Sequence, residues 1–258
     1  MKKAITIVTL TTTSAVLAYA GMGDVLTSWL APGTYPRVNG IAFEGEYIWL
    51  KHYGCEGGGV LKCTKSGSVI REIAFPFHGY GPSFGLAFDG AYLWTIYHQP
   101  VGIDRCDHYV KYTTNGSVAD VFWAHKYPVY YPSRGVSWDG QYLWTDERLG
   151  VVKAGKYTTT GTLVGTFAVA GVWRTDAAYY NNQLWTGGPN EYVYGMNIGA
   201  STFVASFAAP GGSCDAVGFD GEYLWTADKN TPQYIYKLDI DVVDVNPGSF
   251  GKIKGLYR

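Results

Sequence analysis

Carboxylates, guanidinium groups and other polar side chains, with one aromatic ring, stand at matching places along this 258-residue chain. Arg37 with Asn39, Ser83 with Phe84, Ser133 with Arg134, Arg174 with Asp176, and Cys214 with Asp215 each sit at the entry to one of five related segments. Glycoside hydrolysis needs two carboxylates, one as general acid and one as nucleophile or base. Asp176 and Asp215 are the pair offered at those entries, whereas Asp146, Glu147 and Asp228 fall further along their segments. Three arginines and two aspartates around one locus have a second use, binding a carboxylate or a polyol. They equally make a set of ion pairs with one another, which exposed charges commonly do without functional meaning. No H-E-x-x-H helix motif is present, which removes the metalloprotease chemistry that this motif carries.

Thiols and imidazoles form a second group. The four cysteines are Cys55, Cys63, Cys106 and Cys214, an even number that in an exported protein favours disulfides. The glycine run in YGCEGGGVLKC lets Cys55 and Cys63 approach, which leaves Cys106 to Cys214. Metal is the competing use, because His98, Cys106, Asp107 and His108 crowd one stretch, with His52 and His78 nearby in sequence. Paired C-x-x-C spacing is missing, so no metal and no other cofactor is expected. Asn115-Gly116-Ser117 matches a glycosylation triplet but reads first as a turn.

Composition limits what these groups serve. Aromatic and charged residues are each 16%, and net charge is −1. Disordered chains show the opposite balance, and nothing electrostatic favours a nucleic acid partner. Thirty-four glycines beside abundant Tyr, Thr and Trp indicate short strands joined by tight turns. Residues 1–20 open with Met-Lys-Lys, continue through an apolar stretch of 15, and end Ala18-Tyr19-Ala20. This is the layout of a secretory signal peptide, too short to span a bilayer comfortably. The mature chain is then expected to be extracellular, at the cell surface or periplasmic, with no transmembrane segment.

The entries belong to a repeat. GIAFEGEYIW (40–49), GLAFDGAYLW (85–94), GVSWDGQYLW (135–144), DAAYYNNQLW (176–185) and AVGFDGEYLW (216–225) align without gaps, their tryptophans 45, 50, 41 and 40 residues apart. Each reads as strand, turn, strand. The turn is Asp-Gly or Glu-Gly in four copies and Tyr-Asn in the fourth. Residues 60–75, 109–123, 154–169 and 193–208 each add a second hairpin with alternating apolar and polar residues. Four antiparallel strands in 40–50 residues make one propeller blade. The fifth unit has a third strand, 233–240, and lacks a fourth. DVLTSWLAPG (24–33) matches FVASFAAPG (203–211), so residues 24–31 are expected to supply it. The fold is therefore all-β: a five-bladed β-propeller of four-stranded antiparallel blades over residues 21–241, closed by an N-terminal strand, with a tail at 242–258.

These repeats resemble the loose group of secreted and periplasmic propellers with F-D-G-x-Y-L-W-T motifs, over about 220 residues. The group contains lectins, lyases, cyclotransferases and scaffolds, so the resemblance implies fold rather than activity. Glutaminyl cyclotransferases share this fold class, but no copy of their active-site pattern is found here. The five repeated tryptophans are expected to pack between blades. The non-repeating Tyr80, Phe84, Tyr97, Tyr131 and Trp173 are placed in loops, where a sugar or a protein could stack. Ligand contacts are expected from Arg37, Asn39, Phe84, Arg134, Trp173, Arg174, Asp176 and Asp215. The function this supports is a secreted, non-catalytic propeller binding glycans or surface proteins, or assembling with copies of itself through its spare tail. The alternative is a hydrolase, lyase or cyclotransferase using Asp176 and Asp215 on the central face.

Overall fold

Alternating apolar residues around glycine turns become twenty strands in five sheets of four. The computed structural model describes residues 21–240 except 33–36, 53–57, 77–82, 100–104, 128–132, 148–152, 170–174, 189–190 and 201. The expected signal peptide and C-terminal tail therefore lie outside the described residues. Blade one is β2 (Val38–Glu44), β3 (Tyr47–His52), β4 (Gly59–Thr64) and β5 (Val69–Ala74). Blade two is β6 (Ser83–Phe88), β7 (Tyr92–Gln99), β8 (Arg105–Thr113) and β9 (Val118–Tyr127). Blade three is β10 (Val136–Trp138), β11 (Leu143–Glu147), β12 (Lys153–Tyr157) and β13 (Leu163–Ala168). Blade four is β14 (Ala177–Tyr180), β15 (Gln183–Gly187), β16 (Tyr192–Asn197) and β17 (Phe203–Ala208).

Blade five joins β18 (Ala216–Phe219), β19 (Leu224–Ala227) and β20 (Tyr234–Leu238) to β1 (Val25–Leu30) from the other end of the chain. β1 runs antiparallel to β20, with Trp29 opposite Ile235 and Leu30 opposite Tyr234. The N-terminal strand thus completes the last blade, as its likeness to the fourth strand of blade four requires. The inner strands β2, β6, β10, β14 and β18 contact one another in turn around the axis. Gln233 fastens the seam, its Oε1 accepting the Val38 N–H at 2.6 Å and its Nε2 donating to the Val38 carbonyl at 3.2 Å.

Trp49, Trp94, Trp144, Trp185 and Trp225 are all buried between blades. Trp225 packs on Phe43 with ring centroids 5.7 Å apart, and Trp144 on Tyr179 at 6.0 Å, so in these two blades the tryptophan meets the aromatic of the next inner strand. Four of the five indoles donate to the acid that opens their own hairpin turn: Trp49 to Glu44 at 2.9 Å, Trp94 to Asp89 at 2.8 Å, Trp144 to Asp139 at 2.7 Å and Trp225 to Asp220 at 3.0 Å. The other Asp89 oxygen accepts the N–H groups of Ala91 and Tyr92, which shapes the turn. A lysine on the third strand covers the same rings, as Lys111 does 4.0 Å from the Tyr92 centroid.

Blade four lacks the whole unit. Tyr180 stands in place of the acid and packs, tilted by 33°, against Phe219 with ring centroids 3.8 Å apart. Gly195 stands opposite Trp185 in place of the lysine, and a Cβ there would lie 2.8 Å from the indole. The turn is centred on Asn181 and Asn182, both at positive φ, and not on the expected Tyr180-Asn181. Asparagine is among the few residues that reach this region at small penalty. The Trp185 Nε1 consequently has no hydrogen-bond partner among the described residues. Trp94→Phe is therefore expected to destabilise the fold about 1 kcal/mol more than Trp185→Phe, the net worth of one buried hydrogen bond. Urea denaturation of the two variants checks this, and equal losses would show that the indole bonds contribute nothing.

Candidate functional site

The entries to the inner strands converge at one end of the axis on a cavity of ≈ 260 Å3. Its lining is Arg37, Asn39, Phe84, Arg134, Thr175, Asp176, Asp215 and Lys229. Six of the eight ligand-contact residues expected from sequence are thus brought together from all five blades. The other two, Trp173 and Arg174, lie outside the described residues, as do Tyr80 and Tyr131. Phe84 lies in β6 and is no loop residue, and neither is Tyr97. Tyr97 lies in β7, fully buried, and its hydroxyl accepts a hydrogen bond from Tyr112 at 3.0 Å.

Asp176 forms the floor. One oxygen accepts the Ala177 N–H at 2.8 Å and the other the Ile41 N–H at 3.1 Å. The N–H groups of Leu86 and Val136 also donate to this carboxyl. These four residues occupy the same position in the inner strands of blades one to four, so one side chain on the axis satisfies equivalent edge amides from four blades. Burial pushes its pKa well above the usual carboxylate range, and the four N–H groups pull it down. Gly85, at positive φ, makes room for it: a Cβ there would come within 3.0 Å of the carboxyl and 2.8 Å of the Val136 nitrogen.

Beneath the lining lies Lys51, fully buried, with Nζ donating to Asn39 Oδ1 at 3.1 Å and to the Ser83 carbonyl at 3.0 Å. Burial lowers its pKa to about 7, against the opposing pull of the Asp176 charge. An unfolded chain holds that proton up to the ordinary lysine value, so above about pH 7 it binds more protons than the native state. Stability is therefore expected to rise with pH between about 7 and 9.5, below the range where tyrosines titrate. Lys51→Met should lack that rise. Urea midpoints at the two pH values measure it, and parallel slopes would refute a depressed lysine.

At the rim, Arg37 grips Asp215 with two hydrogen bonds, from Nε to Oδ2 and from Nη2 to Oδ1, the second at 2.8 Å. Lys229 Nζ stands 4.0 Å from the same carboxylate. Burial raises the Asp215 pKa, and the Arg37 contacts oppose this most strongly. Arg134 lies over the Phe84 ring at 5.7 Å, a cation–π arrangement that leaves an aromatic and a charge side by side. Lys51 and Asp176 offset each other in charge, as do Arg37 and Asp215. Among the lining residues three cations, Arg37, Arg134 and Lys229, face two acids, Asp176 and Asp215. Lys229 was not anticipated from sequence, because it follows β19 instead of preceding an inner strand.

The disulfide expectation needs correction. Cys63 and Cys214 are buried free thiols, so neither makes the disulfide expected with Cys55 or Cys106. Cys63 points into the apolar cluster between blades five and one, beside Ile48, Leu50 and Leu61, where alternation along β4 puts it. Cys214 donates a weak hydrogen bond to the Ala216 carbonyl at 3.5 Å. Burial pushes the Cys63 thiol up to about 11 and Cys214 further still, which leaves both unreactive. Cys55 and the side chain of Cys106 lie outside the described residues. His98 Nδ1 pairs with Asp107 Oδ1 at 3.0 Å, and His108 meets Trp123 at 4.3 Å between ring centroids. Among the described residues no three His, Cys, Asp or Glu side chains are grouped to hold a metal.

No protein-family model matches the chain, and no curated protein sequence matches it. Solved structures do. Glutaminyl cyclase of Myxococcus xanthus is similar with a TM-score of 0.63 at 13% identity, over 86% of this chain and 97% of that one. A nidogen/laminin complex gives 0.49 at 12% identity, over 74% and 72% of the two chains. The PQQ-bound aldose sugar dehydrogenase of Streptomyces coelicolor gives 0.45 at 14% identity, over 84% and 97%. At such identities the likeness is one of architecture, and with the five four-stranded sheets it establishes the chain as a five-bladed β-propeller.

Proposed function

We propose that this chain is an exported, non-catalytic propeller that binds an acidic glycan in its axial cavity. The observation that carries the reading is a cavity on which Arg37, Arg134 and Lys229 converge against two acids, Asp176 and Asp215, beside the Phe84 ring. A carboxylate on a pyranose ring would place its charge between Arg134 and Lys229 and its apolar face on the aromatic. The cavity is below the range of drug-sized pockets and suits one sugar unit, with the rest of a glycan outside. Export rests on the N-terminal Lys-Lys and apolar segment alone, since the described cysteines lend it no disulfide. Among the described residues no helix is long and apolar enough to cross a membrane.

Catalysis by Asp176 and Asp215 is the weaker reading for a stated reason. Asp176 has its oxygens committed to strand amides, and Asp215 is bound on both oxygens by Arg37. Neither is set to hand a proton to a substrate. Titration calorimetry with uronate-bearing and neutral oligosaccharides tests the proposal. Heat from the acidic set alone, lost as salt is added, is the expected outcome. Binding of neutral sugars with equal affinity, or of neither set, would overturn it.

A further inference from the structure

Outside the cavity, exposed apolar residues gather at the seam where blade five meets blade one. Val25, Leu26 and Leu30 of β1 and Val69 and Ile70 of β5 are each 44–54% exposed. The two strands are neighbours across the seam: the Trp29 indole donates to the Lys65 carbonyl at 3.1 Å, and its ring lies against Gly67 in the turn that leads into β5. β1 is an outer strand, paired on one side only among the described residues. The Ala31 N–H donates to the Gln233 carbonyl at 2.9 Å, and the antiparallel ladder alternates from there. Trp29 consequently faces β20, while the N–H and C=O groups of Ser28 and Leu30 turn to the open edge.

Edge strands are usually guarded by charge, proline or a bulge in mid-strand. The outer strand of blade one carries Arg71 and Glu72, and that of blade two carries Asp120. β1 reads VLTSWL and carries no charge. β13 and β17 are also uncharged, but each exposes one large apolar residue, Val164 and Phe203, against three on β1. The irregularity in β1 falls between Val25 and Thr27, which leaves Ser28 to Leu30 regular.

We infer that β1 is a self-association edge, pairing antiparallel with β1 of a second copy of this chain. Identical strands related by a two-fold axis present the outward groups of Ser28 and Leu30 to each other, and the flanking leucines and valines close over the pair. With no charge on the strand and a net charge of −1 on the chain, two copies meet without electrostatic repulsion. The two fifth blades then form one continuous sheet, with both axial cavities unobstructed. This inference does not depend on what the cavity binds.

Sedimentation velocity on the full chain over a wide concentration range tests it. The expected result is a mass that rises from one chain to two. Ser28→Pro removes an outward N–H and spares the ladder to β20. Leu26→Lys puts a charge on the edge at an exposed position. Each should hold the protein monomeric with an unchanged melting temperature, and Leu26→Lys serves alone if the proline variant folds poorly. A wild-type chain that stays monomeric overturns the inference. So does a dimer that both substitutions leave intact, and so does a monomer that dimerises only after residues 241–258 are removed, which would make the chain's own tail the occupant of this edge.

Discussion

Asp176→Ala is expected to destabilise the ring by about 3–5 kcal/mol, a large fraction of the 5–15 kcal/mol by which a typical domain is stable. The side chain contributes no apolar packing of note. Its effect comes from what it leaves behind. Ile41, Leu86, Val136 and Ala177 would each keep a buried N–H with no acceptor, in four blades at once. An unsatisfied buried donor costs about 1–3 kcal/mol, and water entering the axis would recover part of that. Lys51 would also lose the charge that opposes its desolvation. Asp176→Asn keeps one acceptor oxygen and turns an amide N–H toward other N–H groups, so its loss should be intermediate. Chemical denaturation of the three proteins gives the ordering. An alanine variant within about 1 kcal/mol of wild type would show that the axial amides are satisfied in some other way.

This role for Asp176 was not legible in the sequence, and the reason is topological. The residue aligns with Gly40, Gly85, Gly135 and Ala216 of the other repeats, so it stands out as a departure. A departure in a symmetric repeat signals function or a lone structural part, and sequence does not say which. Ring closure makes it structural, because only there do equivalent amides of several blades point at one spot. The fold was legible because each level of the repeat agrees. The acid in the hairpin turn that accepts from Ala91 and Tyr92 also accepts from Trp94, so turn, strand and inter-blade packing share one residue pattern. Closure by β1 was legible for the same reason, since TSWLAPG repeats the outer strand of blade four in type and order. Cys63 was misread because the glycine run between it and Cys55 suggested approach, whereas the alternation of β4 directs the thiol into the apolar cluster. Lys51 and Lys229 were missed because their importance lies in which neighbours the ring brings to them, across 125 residues in the case of Lys51 and Asp176.

Reversing charge at the rim is expected to abolish anion binding while leaving the fold intact. Arg134 and Lys229 approach the cavity from blades three and five, so a ligand carboxylate between them would contact both. Removing one partner from a desolvated charge pair typically loses 2–5 kcal/mol, which corresponds to roughly 30- to several-thousand-fold in affinity. Lys229→Glu should fall at the lower end, because its side chain is 42% exposed and water screens it. Arg134→Glu should lose more, since it also removes the guanidinium from the Phe84 face and sets a carboxylate near Asp215. Asp215→Asn is the informative opposite. It releases Arg37 from its two-bonded partner and raises the positive charge of the cavity, so affinity for an acidic sugar should increase. An enzyme using Asp215 as acid or base would instead lose turnover and keep its binding. Calorimetry on the three variants separates these outcomes by sign. Tighter binding in Asp215→Asn with weaker binding in the two reversals identifies an anion site, and a common loss in all three would mean that Asp215 itself holds the ligand.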